Sequence, residues 1–168
     1  VPVSLAAVGD LDPLRRRKFA LFCSVKCPGK LVMRACALAQ QACRHGRQAV
    51  YLRLPRLCHD LEIARADGSY RKLLAKYARV DLMVLDDWGL APLTAQNRRD
   101  LLEILDDRYQ VRSTLITSQL PVATWHQYLD DPTLADAILD RVIHNAHKIE
   151  LSGESLRKQK GASLPKLT

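Results

Sequence analysis

Long apolar runs are missing from this 168-residue chain: none approaches the ~20 residues that a membrane span needs. No stretch reads as a signal peptide, so the expectation is a cytoplasmic protein with no membrane partner. Cysteine is too sparse for a staple framework. The five residues are an odd number, and a chain this long can bury a core without cross-links, so reduced thiols are expected. Cys23 and Cys27 lack a second Cys/His pair at matching spacing, and His144 and His147 lack a carboxylate-rich partner motif, which argues against zinc. Negative charge is also in deficit. With 26 Lys and Arg against 18 Asp and Glu, the formal charge is +8 and the pI near 9.5. Such a balance suits a polyanionic partner, most often nucleic acid, although a solvated basic face gives the same count.

The pattern that remains alternates strands and helices. Residues 1–18 carry prolines, scattered apolar residues and the basic block "RRRK", and read as an irregular segment. "FALFC" (19–23), "QAVYLRL" (48–54), "VDLMVLDD" (80–87), "STLITS" (113–118) and "KIEL" (148–151) read as strands. Between them, "LVMRACALAQQACRH", "RLCHDLEIARA", "SYRKLLAKYA" and "AQNRRDLLEILDDRY" read as helices, the last capped by Thr94. Pro121 opens a short helix and "DPTLADAILDRVIHNAH" forms a longer one. Strands that are apolar throughout imply a parallel sheet covered on both faces, where ligands bind beyond the carboxyl ends of the strands.

The chemistry is therefore sought just after each strand. "CSVKCPGKLV" (23–32) has the Gly29–Lys30 pair of a phosphate loop, G-x-x-x-x-G-K-[ST], but Ser24 replaces the first glycine and Leu31 the hydroxyl residue. Either Lys30 and the nearby backbone N–H groups still face an anion, or this is an ordinary Pro-Gly turn. Asp86 and Asp87 end an apolar strand, as carboxylates that hold Mg²⁺ and polarise an attacking water do; Asp is also common in strand-end turns. Thr117, Ser118 and Gln119 close the fourth strand and could orient a water. Arg141 interrupts "AILDRVIH", either as a surface residue or as a charge offered to a neighbouring subunit, and Arg157 lies beyond the fifth strand. Trp88 and Trp125 read as packing residues outside any aromatic cluster.

From about Ala35 to Gln159 the chain resembles the IstB-like transposition helper ATPases, relatives of DnaC and DnaA in the AAA+ superfamily. The motifs that carry the resemblance are "VDLMVLDDWG", "TSQLP", "DPTLADAILDR" and "GESLR". It implies an α/β AAA+ P-loop NTPase core over residues 19–160, with a five-stranded parallel sheet and helices on both faces, followed by a tail at 161–168. It further implies ATP and Mg²⁺ as cofactors and DNA, a transposase and further copies of the chain as partners. By position, Asp86 would be the metal acid and Asp87 the catalytic acid. Gly29 and Lys30 would contact phosphate, Ser118 and Gln119 would mark the first sensor, Arg141 the trans-acting arginine and Arg157 the second sensor. The departure is the loop. Its residues have diverged, or the reading frame before Ala35 has shifted, and losing one or two charge-assisted contacts of ~1.5–3 kcal/mol each weakens nucleotide binding and impairs hydrolysis. The alternative is a DNA-binding or transposase-interaction module that works without ATP.

Overall fold

The computed structural model describes residues 19–23, 28–144 and 146–150, with side chains from Ala35 to Lys148. Expectations placed on residues 1–18, the loop 24–27, Arg157 and the 161–168 tail lie outside the described residues. The apolar runs form five strands: β1 (Phe19–Cys23), β2 (Ala49–Arg53), β3 (Leu82–Trp88), β4 (Ser113–Ser118) and β5 (His147–Glu150). They make one sheet in the order β2-β3-β4-β1-β5, with every pair parallel, as the alternation of strands and helices implied.

Parallel neighbours require crossovers, and six helices supply them. They are α1 (Pro28–Arg44), α2 (Leu54–Ala66), α3 (Tyr70–Arg79), α4 (Ala95–Arg108), α5 (Trp125–Leu129) and α6 (Pro132–Ile143). α1 starts three residues earlier than the sequence pattern indicated, because Pro28 suits a first helical position that needs no N–H donor. Pro55 sits likewise in the first turn of α2. Thr94 caps α4 as expected, through a reciprocal box: its Oγ1 accepts the Asn97 N–H at 3.1 Å, and Asn97 Oδ1 accepts the Thr94 N–H at 3.1 Å. α6 is shorter than its apolar pattern and ends at Ile143, where the chain turns into the edge strand β5.

Strand alternation splits the core in two. Leu82, Val84 and Leu115 meet Ala35, Leu38, Ala39 and Ala42, a stripe at helical spacing along α1. Met83, Leu85 and Ile116 point the other way, into a larger cluster with Leu57 and Leu61 of α2, Leu101, Ile104 and Leu105 of α4, and Ile138 and Val142 of α6. Full burial of a Leu or Ile side chain contributes about 1.5–3 kcal/mol, and an alanine much less. Among the described residues, the stripe of α1 that meets the sheet is mostly alanine.

Two polar networks tie the helices on the larger face. The Asp100 carboxylate, fully buried on α4, receives Arg65 of α2, the Tyr70 hydroxyl at 2.9 Å and the Gln96 amide at 2.7 Å. Arg108 is also fully buried, and its guanidinium donates to Tyr77 O, Val80 O, Ser113 O and Thr114 Oγ1. Four acceptors replace a counterion there, joining the end of α3 to the start of β4.

Candidate functional site

Asp86 and Asp87 stand on an irregularity that alternation alone does not foresee. Leu85 pairs with Ile116, yet the next aligned pair is Trp88 with Ser118, so two residues of β3 oppose Thr117 alone. This is a β-bulge. Asp87 takes the left-handed conformation at φ 61° that accommodates the extra residue. A regular strand would send Trp88 to the α1 face behind Leu82, Val84 and Asp86. The bulge returns it to the opposite face, where it is buried with Met83 and Leu85. Gly89, at φ 86°, then starts the turn, and the Leu90 N–H bonds Asp87 O at 3.1 Å.

Trp88 does belong to an aromatic cluster, contrary to the expectation from sequence spacing. Its ring lies 4.9 Å from that of Trp125 and 6.2 Å from that of Tyr128. Both tryptophans are nonetheless buried, so they act as packing residues. The α5 and α6 region returns to the end of β3 and brings together residues far apart in sequence.

Asp86 keeps its place on the α1 face, between two hydroxyls. Tyr51 of β2 donates to Oδ2, and Thr117 of β4 donates to Oδ1. Burial, with the bond to Asp86 second, holds the Tyr51 phenol well above its ordinary range. Arg53, two residues along the same side of β2, donates from Nε to Asp87 Oδ2 at 2.5 Å, and that bond raises its pKa. Asp86 is buried, yet among the described residues no cation pairs with it. Among the described residues its bonds come from neutral hydroxyls, and a buried anion held in that way favours a cation beside it. Hard oxygen donors in that state fit a divalent cation such as Mg²⁺.

The other predicted residues fall in separate places. β1 leads into α1, so Gly29 and Lys30 lie in the first turn of a helix that begins at the carboxyl edge of the sheet, on the face that Asp86 occupies. Ser118 points to the opposite face, donating to Trp88 O at 2.8 Å and accepting the Leu120 N–H at 3.0 Å. Gln119 is exposed just beyond β4. Alternation thus gives Thr117 to the carboxylates and Ser118 to the turn. Arg141, on α6, donates to Asp106 Oδ1 at 2.7 Å and to Asp140 Oδ2 at 3.2 Å. Tyr51 and Arg53 were not singled out from sequence. The available signal was their i, i+2 placement at the end of a strand adjacent to the one bearing the acids.

The sheet order, the crossover helices and the carboxylate pair at a strand end define an α/β parallel-sheet domain with its candidate site at the carboxyl edge of the sheet. Among solved structures, the chain is similar to DnaI, with TM-score 0.71 and 19% identity over 81% of this chain and 74% of that one. The DnaC helicase loader aligns with TM-score 0.66 and 20% identity over 83% and 81%. At these identities the likeness is one of fold. The sequence model of the family described as IstB-like ATP binding protein matches residues 20–163, and the chain belongs to that family. The match runs back through the loop segment, upstream of Ala35. A Sinorhizobium fredii protein described as an insertion sequence ATP-binding protein is 60% identical over 124 residues, 74% of this chain and 51% of that one. The ATP-binding protein of insertion sequence IS1162 from Pseudomonas fluorescens is 48% identical over 71% of this chain and 52% of its own. The chain spans about half the length of these relatives. No helix among the described residues is long and apolar enough to cross a membrane.

Proposed function

We propose that this chain is the ATP-binding core of an insertion-sequence transposition helper, which assembles with nucleotide on DNA and engages a transposase. The observation that carries this reading is the acidic bulge: Asp86 and Asp87 at the carboxyl end of β3, beside Thr117 and on the face from which α1 begins. Mg²⁺, when bound, would offset phosphate charge and orient the transferred group. Asp86 would hold the metal through its waters, and Asp87 would accept the proton of the attacking water once Arg53 releases it. Lys30 and the backbone of the first α1 turn would face the phosphates, and Gln119 would reach the outer one. Arg157 would close the site within the chain, and Arg141 would serve a neighbouring copy.

DNA as partner is supported by α3. Arg71, Lys72, Lys76 and Arg79 are exposed on a helix without a single acid, and among the described residues none has a carboxylate partner. Phosphate contacts from such a stripe make binding fall steeply with salt.

A second reading, nucleotide-independent DNA binding, is favoured by Leu31 at the hydroxyl position and by Arg53 neutralising Asp87. Equilibrium binding of a fluorescent ATP analogue separates the two, with and without Mg²⁺, in the wild type, Lys30→Ala and Asp86→Asn. Binding strengthened by Mg²⁺ and lost in Lys30→Ala supports the helper reading. No binding at millimolar nucleotide, with salt-sensitive DNA binding intact, overturns it in favour of the second.

A further inference from the structure

We propose that Tyr51 is a positioning residue for the metal-binding carboxylate, acting from the edge strand through its hydroxyl; this rests on the proposed function. An Asp side chain has a broad, two-fold preference about its last torsion, so one bond to one oxygen leaves the carboxylate free to swing. Asp86 instead has one anchor on each oxygen, from strands on either side of its own: Tyr51 on β2 and Thr117 on β4. The two bonds fix the plane of the group, and each oxygen keeps a lone pair for a metal-bound water.

Packing alone does not account for a tyrosine at this position. Tyr51 is 37% exposed on an edge strand and, among the described residues, stands outside both core clusters. Its hydroxyl supplies half of the support to a buried anion. The residue after Lys30, where a phosphate loop has a hydroxyl, is Leu31, so this chain has one fewer oxygen available around the metal. Support from the flanking strands then matters more. Groups bonded to a metal's ligands orient those ligands, and removing one typically lowers metal affinity by about 10- to 100-fold.

The experiment is a Mn²⁺ titration followed by electron paramagnetic resonance, with a non-hydrolysable ATP analogue present. It is run on wild type, Tyr51→Phe, Thr117→Val and Thr117→Ser, alongside analogue binding in EDTA. Tyr51→Phe is expected to weaken Mn²⁺ by roughly tenfold while leaving binding in EDTA unchanged. Thr117→Val should match it, and Thr117→Ser, which retains the hydroxyl, should stay near wild type. A Tyr51→Phe affinity for Mn²⁺ within about twofold of wild type overturns the positioning role and leaves the helper reading intact. Equal losses with Mn²⁺ and in EDTA also overturn it, since they mark a general structural effect. A wild type that holds no Mn²⁺ with the analogue removes the helper reading and the inference together.

Discussion

Arg53 Nε lies 2.5 Å from Asp87 Oδ2, so an edge-strand guanidinium holds the carboxylate of a residue in the left-handed conformation. The arginine is 60% exposed and the aspartate far less, so a solvent-borne anion can reach the cation and compete for it. While the pair stands, one oxygen of Asp87 is occupied by the guanidinium.

Replacing Arg53 by Ala is therefore expected to raise basal ATP hydrolysis several-fold and to weaken any stimulation by DNA. Phosphate release with and without DNA checks it. The melting temperature should barely move, as for exposed ion pairs generally. Unchanged basal turnover would show that the pair does not restrain Asp87.

Gly89→Ala should cost about 2–3 kcal/mol, since it combines backbone strain at φ 86° with a Cβ built 2.3 Å from Leu120 Cδ1. Gly68→Ala is the control. At φ 80° a Cβ there meets nothing within 4 Å, and strain alone predicts about 1 kcal/mol. Urea unfolding midpoints for the two variants separate crowding from backbone strain.

Arg108→Met is predicted to destabilise the fold by about 3 kcal/mol, because the carbonyls of Tyr77, Val80 and Ser113 lose their buried donor. Arg108→Lys should recover only part of this, since one ammonium cannot replace the planar fork. Chemical denaturation of both variants is the measurement.

Stability should fall above pH 10. Burial raises the phenols of Tyr51, Tyr70, Tyr77 and Tyr128, with Tyr128 pushed to about 12. An unfolded tyrosine ionises near 10, so above that pH the unfolded chain loses protons first. The contribution of Tyr128 is full below pH 10 and gone by about 12. Phenolate absorbance should rise together with loss of helical dichroism, and Tyr128→Phe should make the fall with pH shallower.

Arg141 is bound within its own chain to Asp106, so service to a neighbour requires it to leave that partner. Arg141→Ala should abolish hydrolysis and spare nucleotide binding. Mixing Arg141→Ala with inactive Asp87→Asn should restore part of the activity, since some sites then pair an intact acid with an intact arginine. No recovery on mixing would contradict an arginine working between subunits.

The layered sheet was legible because its signals are one-dimensional: "LMVL" is apolar at every position, "STLITS" is rich in β-branched residues around an apolar centre, and Thr94 stands three residues before Asn97. The two acids were legible for the same reason, as an abrupt change of polarity at a strand end. The direction of each side chain was not. It depends on an extra residue in β3, and nothing in "DDWG" states that Trp88 will rejoin the face of Leu85. Tyr51 and Arg53 were missed because strand neighbours in a parallel sheet are set by crossovers, and β2 lies beside the acids only through its pairing with β3. Likewise, the Trp88 and Trp125 contact depends on the return of α5, which sequence separation conceals.

The strand order also dictates a sequence of assembly. β2, β3 and β4 are consecutive in the chain and adjacent in the sheet, whereas β1 fits between β4 and β5, which are made much later. Pairing Phe19 with Thr114 and Ala20 with His147 closes long loops, a step whose entropy opposes early formation. On a ribosome, residues 19–23 must wait unpaired until β4 has emerged, and their other edge until β5 has followed. β1 is therefore among the last strands to be fixed in place, and the carboxyl edge of the sheet is complete only after it has joined.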